Sequence, residues 1–436
     1  MDKDILFESL VRWNSWGQKP SIRLQSRDLL PQIVPYLHEP FPVVFTGVRR
    51  SGKSSILLLL MQHLMEREIP PTQLLLINFE EPLFSQHLSI KFVEELIALY
   101  REKVNPDKKI YFFLDEIQNL PQWEKWVRRE ADLKEHKIFL TGSSAKLLSS
   151  EISTLLTGRH YTFTVSPLSF KEFLSWRGIA PQSSVENVEQ KALIRKSLAD
   201  YLEWGGFPQM VLADSADKRS KILHHYFDDI LFRDIVLRHQ IRDVKLLQGI
   251  AEYYMTNTAA LHSFNRIGRA FDTSVDNVRR YAGFLEDSQL IFSLDKFSFK
   301  AGERKKANRK VYVVDTGLRN AISFRFSRDL GKLVENVIAM SLLQKSRELY
   351  YFGNGNECDF ITKQSDRFIP VQVSYSDLSE EKVRTREFQG LTGALRQLKQ
   401  KKGLLLTDDV EREEQYDEFQ IQLQPVWKFL LEVDQQ

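Results

Sequence analysis

Gly47-Val48-Arg49-Arg50-Ser51-Gly52-Lys53-Ser54 matches the pattern G-x-x-x-x-G-K-[ST] in full, and this stretch decides how the N-terminal part of the chain folds. An apolar, β-branched run at residues 42–46 precedes it, and an apolar run at residues 56–61 follows it and opens a helix. A strand, a glycine-containing loop and a helix in this order are typical of a phosphate-binding loop. The alternative, a chance glycine turn before a buried helix, is disfavoured because both flanks are correct.

The loop predicts a site for ATP and Mg²⁺. Its backbone N–H groups would point at phosphate oxygens, and the start of the following helix would add its partial positive charge. Lys53 would reach the outer phosphates, and the Ser54 hydroxyl would hold the Mg²⁺ ion. The loop residues predicted to contact the nucleotide are Gly47, Arg50, Ser51, Gly52, Lys53, Ser54 and Ser55.

A second apolar segment, residues 109–114, ends in the acidic pair Asp115-Glu116. Asp115 is predicted to contact the nucleotide site and to bind Mg²⁺ through water or together with Ser54. Glu116 is predicted to orient and polarise the attacking water. Acidic residues often end strands by chance, but after a complete loop pattern this pair favours ATP hydrolysis, with Lys53 and Glu116 as catalytic residues.

Two further candidates follow the acidic pair. A predicted strand at residues 137–140 ends in Thr141-Gly142-Ser143-Ser144, where Ser143 would sense the γ-phosphate or the attacking water. The alternative is that these serines cap a helix at residues 145–148. Arg159 is a candidate catalytic arginine finger, acting on its own subunit or on a neighbour, and its alternative is an ordinary surface residue.

Composition is that of an ordinary globular chain of 436 residues, with 61 basic and 58 acidic side chains and a net charge of +3. This balance neither requires nor excludes nucleic acid, so any basic surface must be local. One cysteine, Cys358, excludes an internal disulfide and fits a reducing compartment. The longest apolar run, residues 56–61, is far too short to cross a bilayer, and the N-terminus lacks the features of a signal peptide. We therefore expect a cytoplasmic protein without a membrane partner.

The order of predicted elements indicates an α/β protein of four parts. Alternating strands and helices over residues 1–165 predict a doubly wound P-loop NTPase domain. Residues 166–240 are predicted to form a helical bridge. Residues 241–326 combine short helices with a hairpin of strands at 290–294 and 311–314, which predicts a winged helix-turn-helix. Residues 327–436 contain strands and helices of a fourth, α/β domain.

Basic residues fall where the predicted winged helix would contact DNA. They lie on the helices and in the hairpin loop: Arg266, Arg269, Arg279, Arg280, Lys300, Arg304, Lys305, Lys306, Arg309 and Lys310. Contact with DNA phosphates is one interpretation. The alternative is a solvated hairpin and a winged helix that binds only proteins.

The C-terminal part resembles the restriction-endonuclease-like core. That core uses an acid on a helix, an Asp on one strand and a Glu-x-Lys on the next strand to hold magnesium. Glu335 and Asp359 match this pattern, whereas Gln372 stands in place of the Glu and Ser374 in place of the Lys. Because one metal-binding charge and the basic group are lost, we expect a nuclease fold without nuclease activity. An active nuclease would need other residues, such as Glu357, to substitute.

Taken whole, the chain resembles a prokaryotic AAA-type ATPase family in which a P-loop domain precedes a winged helix and a nuclease-like domain of unknown function. The stretches that carry the resemblance are residues 47–54, 114–119, 141–144, 158–159, 204–208 and 357–359. The resemblance implies ATP binding and hydrolysis. It leaves open a nucleic-acid-coupled motor or switch, an ATPase switch that binds a protein partner, and a homo-oligomer in which Arg159 reaches a neighbour's nucleotide.

Overall fold

The computed structural model describes residues 2–14, 16, 24–106, 108–143, 159–182, 187–323, 329–345, 348–354, 356–364 and 367–432. The chain divides into two compact units, Met1–Ser166 and Pro167–Gln436. Each unit is built around its own β-sheet. No helix among the described residues is long and apolar enough to span a membrane.

The first unit contains a five-stranded parallel sheet. Its strands are β1 (Val43–Thr46), β2 (Leu74–Asn78), β3 (Tyr111–Asp115), β4 (Lys137–Gly142) and β5 (Tyr161–Thr164). The spatial order is β2-β3-β4-β1-β5, and every neighbouring pair is parallel. The predicted parallel sheet is therefore confirmed, and β4 lies between the strand before the glycine loop and the strand that ends in the acidic pair.

Helices cover both faces of this sheet. They are α1 (Lys3–Trp13), α2 (Leu30–Ile33), α3 (Lys53–Glu66), α4 (Ile90–Lys103) and α5 (Trp123–Leu133), with short 3₁₀ turns at Val34–Tyr36, Pro71–Gln73 and Ile117–Asn119. Successive residues of β3 point to opposite faces, so Phe112 joins one buried cluster and Phe113 joins the other. Because both faces are buried, the strands consist of nearly continuous apolar residues and end in polar ones at the carboxyl edge.

The second unit begins with helices. These are α6 (Phe170–Trp176), α7 (Val188–Trp204), α8 (Pro208–Leu212), α9 (Ala216–Asp229), a π-helical segment (Ile230–Leu237) and α10 (Val244–Thr256). The turn after α7 is built around a buried carboxylate, because Asp315 accepts a hydrogen bond from the Gly206 N–H at 2.7 Å. Gly205 has φ 75°, and a Cβ at this position would collide with the Asp315 side chain. This close approach explains the adjacent glycines.

Two short helices and a hairpin follow. They comprise β6 (Ala260–His262), α11 (Phe264–Ala270), α12 (Val275–Asp287), β7 (Ile291–Lys296), α13 (Ala301–Lys306), β8 (Arg309–Val313) and α14 (Thr316–Ile322). Ser274 caps α12 by accepting a hydrogen bond from the Asn277 N–H. Strands β7 and β8 pair antiparallel, which confirms the predicted hairpin, while β6 pairs with β8 and was not predicted.

The remaining elements extend this hairpin into a mixed nine-stranded sheet. They are α15 (Leu330–Lys345), β9 (Leu349–Asn354), β10 (Asn356–Gln364), β11 (Arg367–Ser374), α16 (Glu381–Leu398), β12 (Lys402–Thr407), β13 (Arg412–Tyr416), β14 (Phe419–Pro425) and α17 (Val426–Glu432). The sheet order is β13-β14-β12-β11-β10-β9-β7-β8-β6. Strand β7 pairs parallel with β9, so a single sheet includes strands on both sides of residue 326, the predicted end of the winged helix.

Candidate phosphate-binding site

The loop between β1 and α3 adopts a backbone that requires its glycines. A Cβ at Gly47 would collide with the Val165 carbonyl oxygen on the neighbouring segment. Gly52 precedes the first residue of α3 with φ 102°, a left-handed conformation that favours glycine. Arg50 also has a positive φ, 71°. The sequence pattern thus corresponds to a tightly curled loop at the carboxyl edge of the sheet.

The start of α3 offers donors to an anion. Gly52 provides no side-chain cap, so the first N–H groups of the helix have no capping side chain. The Ser51 hydroxyl is buried without a hydrogen-bond partner among the described residues. Arg27 steadies the loop by donating to the Ser51 carbonyl at 3.0 Å. These features fit a bound phosphate group, since N–H groups at a helix start and a positive dipole end favour an anion.

Lys53 is buried beneath the loop, and its ammonium group faces the acidic pair. The Nζ atom donates to the carbonyl oxygens of Gly47 at 3.1 Å and Val48 at 3.3 Å. It lies 3.6 Å from Oε1 of Glu116. The side chains of both residues are less than a tenth exposed. The sequence placed these two residues in one site, and the structure brings them together.

Asp115 lies at the end of β3 and is joined to β4 through Thr141. The Thr141 hydroxyl donates to Oδ1 of Asp115 at 2.6 Å and accepts from the Glu116 N–H at 2.9 Å. Ser54 also hydrogen-bonds the Asp115 carboxylate. Burial and the neighbouring Glu116 charge raise the pKa of Asp115 despite these hydrogen bonds. A cation placed beside Ser54 and Asp115 would relieve this destabilised charge, so the pair fits a Mg²⁺ ion.

Glu116 is held in a strained conformation with its charge retained. Its φ is 51°, a left-handed value that is unusual for a residue other than glycine. Gln118 donates to its Oε2 atom at 2.6 Å and also approaches Oγ of Ser143 at 3.4 Å. Burial acts to raise the pKa of Glu116, but the charge of Lys53 and the Gln118 hydrogen bond outweigh it and keep that pKa below its usual value. An ionised carboxylate of this kind can accept a proton from water.

Arg159 is the one predicted site residue that the structure places away from the loop. Strands β1 and β5 run parallel with Val43 beside Tyr161, so Arg159 lies before the amino end of β5, whereas the loop follows the carboxyl end of β1. Its side chain is 64% exposed and lies 3.8 Å from Asp132. A role in its own subunit's site finds no support in this position. Ser144, Gly158 and the helix predicted at residues 145–148 fall outside the described residues.

Three further side chains support the site: Gln118 and Arg49 had no predicted role, and Thr141 was named only as part of the polar strand end 141–144. Thr141 and Gln118 hold the acidic pair, and Arg49 donates from both terminal nitrogens to Glu80 at 3.0 Å. Their positions gave a signal, since Thr141 ends β4 and Gln118 lies two residues after Glu116. The parallel pairing of β4 with β3 brings Thr141 to the acidic pair.

Comparisons with known proteins agree with this geometry. The family model described as "AAA domain" matches residues 39–174, and two models described as domains of unknown function, DUF8612 and DUF4143, match residues 195–329 and 330–429. The uncharacterized protein MJ1544 of Methanocaldococcus jannaschii is 31% identical over 409 residues, which cover 92% of this chain and 88% of that protein. The chain belongs to this family of AAA-domain proteins. The resemblance inferred from the motifs is thereby confirmed.

Two further matches are a sequence relative and a solved structure. An uncharacterized protein of Haemophilus influenzae is 30% identical to this AAA-domain protein over 359 residues, which cover 81% of this chain and 87% of the relative. Among solved structures, the Walker-type ATPase PABY2304 of Pyrococcus abyssi aligns with a TM-score of 0.45 and 19% identity, covering 69% of this chain and 99% of that one.

In the second unit of the AAA-domain protein, some of the basic residues predicted to contact DNA are exposed and one is buried. Arg266, Arg269, Arg279 and Arg280 are exposed on the consecutive helices α11 and α12. Arg309 and Lys310 lie within β8 rather than in the hairpin loop, and of these two only Lys310 is buried. The expectation that Lys310 would face DNA phosphates is therefore wrong. The side chains of Lys305 and Lys306 are outside the described residues.

Proposed function

We propose that this AAA-domain protein binds ATP with Mg²⁺ and hydrolyses it. The observation that carries the proposal is the convergence of Lys53, Asp115 and Glu116 in one buried site, with Glu116 kept ionised. Bound ATP would supply the phosphoanhydride bond, and Mg²⁺ would neutralise phosphate charge. Side chains of the protein would position the phosphates and the attacking water and would accept the proton of that water.

Each residue has a role that follows from its chemistry. Gly47 and Gly52 shape the loop, and the N–H groups at the start of α3, with Arg50, Ser51 and Ser55 around them, would receive the phosphates. Lys53 would exchange its carbonyl partners for outer phosphate oxygens. Ser54 and Asp115 offer oxygen ligands to Mg²⁺. Glu116 would accept the proton of the attacking water, and Ser143, which Gln118 links to Glu116, would sense the phosphate.

Phosphate release by the purified full chain tests this proposal. We expect turnover of ATP with Mg²⁺ and none when EDTA removes the metal. Titration with a fluorescent ATP analogue gives the binding half of the same test. If the chain bound no ATP at millimolar nucleotide concentration, the proposal would be contradicted, because the loop between β1 and α3 would then not be a phosphate-binding loop.

We further propose that the four parts inferred from the sequence are functional modules: ATPase domain 1–165, helical bridge 166–240, winged helix 241–326 and degenerate nuclease-like domain 327–436. DNA contact through α11 and α12 is supported by their four exposed arginines. A fluorescence-anisotropy titration with duplex DNA, with and without ATP, tests this. Absence of salt-sensitive affinity would contradict the DNA contact.

A protein partner is the second candidate, and specific pairings favour it. Arg279 lies 3.3 Å from Asp276, Arg309 lies 3.1 Å from Asp295, and Lys300 lies 3.3 Å from Glu303. These acidic partners reduce the positive field that DNA would meet. A stoichiometric protein recovered with the full chain, with no nucleic acid, would support this candidate.

Arg159 stays a proposal as an arginine finger only on a neighbouring subunit of a homo-oligomer. The molecular mass of the protein in solution with ATP tests whether such an oligomer forms.

A further inference from the structure

Lys310 is a buried lysine that the proposed ATPase does not use. It lies on β8, its side chain is 4% exposed, and its Nζ atom is surrounded by three carboxylates. The distances are 2.7 Å to Oε1 of Glu335, 2.6 Å to Oε1 of Glu357 and 3.1 Å to Oδ1 of Asp359. An ammonium group has three N–H donors, so each donor has one carboxylate partner. We call Lys310 and these three acids the ammonium cluster.

The ammonium cluster joins three parts of the second unit. Lys310 comes from the hairpin strand β8, Glu335 from α15, and Glu357 and Asp359 from β10. Two further donors complete the shell, since the Tyr312 hydroxyl donates to Glu335 at 2.7 Å and the Val373 N–H donates to Oδ2 of Asp359 at 3.0 Å. Both oxygens of Asp359 are therefore occupied by protein donors.

We propose that the Lys310 ammonium group takes the place of a divalent metal ion in this acidic cluster, so that the cluster binds Mn²⁺ or Mg²⁺ only when the ammonium is removed. The acids that matched the nuclease pattern, Glu335 and Asp359, then hold an internal cation. The ammonium cluster, as these described residues form it, then holds no metal ion for phosphodiester chemistry. This inference does not depend on whether the first unit hydrolyses ATP.

Distances and charge favour the ammonium over a metal. The nitrogen–oxygen distances are those of charged hydrogen bonds, whereas Mg²⁺ holds oxygens at about 2.0–2.1 Å. Among the described residues, no group of three or more acidic, histidine or cysteine side chains could hold a metal ion as the side chains stand, and in this cluster the Lys310 ammonium group occupies the centre. A divalent ion added beside Lys310 would meet a buried positive charge. The three carboxylates around the Nζ atom compensate the charge of the buried ammonium group.

The two departures from the nuclease pattern fit the same interpretation. Oε1 of Gln372 accepts from the Asp359 N–H at 3.1 Å, and its Nε2 atom donates to the buried Glu387 at 2.6 Å. A carboxylate at position 372 could not donate to Glu387 and would oppose its charge. Ser374 is buried, and its hydroxyl has no hydrogen-bond partner within the described part of the chain. The positive charge beside these acids therefore comes from Lys310 on β8, whereas the nuclease pattern would place a Lys at position 374.

Counting bound Mn²⁺ by electron paramagnetic resonance tests the proposal on the full chain. The parent protein, Asp359→Asn, Lys310→Met and the double variant Lys310→Met/Asp359→Asn are titrated side by side. Any Mn²⁺ bound in the first unit is common to all four proteins and cancels in the comparison. The Met side chain ends one atom short of the Lys side chain, so Lys310→Met removes the charge and vacates the position of the Nζ atom among the three carboxylates.

We expect the parent and Asp359→Asn to bind equal amounts of Mn²⁺, because the cluster holds none. Lys310→Met should bind one additional equivalent, and the double variant should lose it. An Asp359→Asn variant that binds one equivalent fewer than the parent would overturn the proposal. A folded Lys310→Met that gains no Mn²⁺ would also overturn it. If Lys310→Met fails to fold, the parent and Asp359→Asn comparison still decides whether a metal occupies the cluster.

Discussion

The Nζ atom of Lys53 lies 3.6 Å from Oε1 of Glu116, and this contact links the glycine loop to the acidic pair across the intervening strand β4. The two residues are 63 positions apart in the chain, so only the parallel sheet brings them together. The lysine charge keeps Glu116 ionised. In the proposed ATPase, the same ammonium group would contact the phosphates and face Glu116, so both roles would depend on Lys53.

Lys53→Ala should weaken nucleotide binding by at least about tenfold, because a buried charge-assisted contact to phosphate is worth roughly 1.5–3 kcal/mol. Titration with a fluorescent ATP analogue measures the effect. Lys125→Ala, at an exposed position of α5, is the matched control and should bind as the parent does. Equal affinity of the parent and Lys53→Ala would remove Lys53 from the phosphate site.

Thr141→Val should lower both stability and turnover. The substitution keeps the side-chain shape but leaves the buried Glu116 N–H without its acceptor and Asp115 without one of its two side-chain donors. We expect a loss of about 1–3 kcal/mol in the free energy of unfolding, the usual cost of an unpaired buried group. Urea denaturation measures it, with Thr162→Val on the edge strand β5 as control. A Thr141→Val variant as stable as the control would show that the bridge contributes nothing.

Asp315 should make stability fall as pH rises from about 4 to about 6. Burial raises the pKa of Asp315 to about 6, although backbone N–H groups of Gly206, Leu318 and Gly317 oppose the shift. The folded state therefore binds more protons than the unfolded chain, whose Asp pKa is near 3.8, so protonation stabilises the fold at low pH and that contribution is lost above pH 6. The change is up to about 3 kcal/mol at roughly 1.36 kcal/mol per pKa unit.

Asp315→Asn isolates this effect because asparagine does not titrate. The difference in unfolding free energy between the parent and Asp315→Asn should decrease from pH 4 to pH 7. A difference that increases over the same range would mean that the three backbone donors lower the pKa of Asp315 instead of burial raising it.

Arg266→Ala/Arg269→Ala should weaken DNA binding if α11 contacts phosphates. Removing two phosphate contacts should reduce the slope of log affinity against log salt by about 2 and lower affinity for all sequences alike. Anisotropy at several salt concentrations measures both quantities. Arg396→Ala on α16 is the control, since Arg396 is exposed on another element of the same unit. An unchanged slope would place DNA contact elsewhere or exclude it.

The sequence predicted the first unit well because its signals are local. The glycine loop, its flanking strand and helix, and the acidic end of β3 each lie within a few residues, and the structure places them as expected. The prediction that Arg159 acts in the site of its own subunit finds no support, because Arg159 precedes the amino end of β5 and the loop lies at the opposite edge of the sheet. A single arginine in a sequence carries no information about that.

Lys310 shows why the second unit was harder to predict. In the sequence it belongs to a run of basic residues that reads as a solvent-exposed hairpin loop. Its partners come from 25 to 49 residues further along, on α15 and β10. Only the parallel pairing of β7 with β9 places the hairpin in the same sheet as β10, which carries Glu357 and Asp359. Non-local pairings of this kind leave no periodic signal in the sequence.

Turnover by Glu116→Gln is the most direct test of the account. Phosphate release and ATP affinity are measured for the parent, Glu116→Gln and Glu135→Gln, the last at an exposed position outside the site. We expect Glu116→Gln to bind ATP but to release phosphate at least about 100-fold more slowly, because it lacks the group that accepts the proton of water. Glu135→Gln should match the parent. Phosphate release by Glu116→Gln at the parent rate would contradict the central claim.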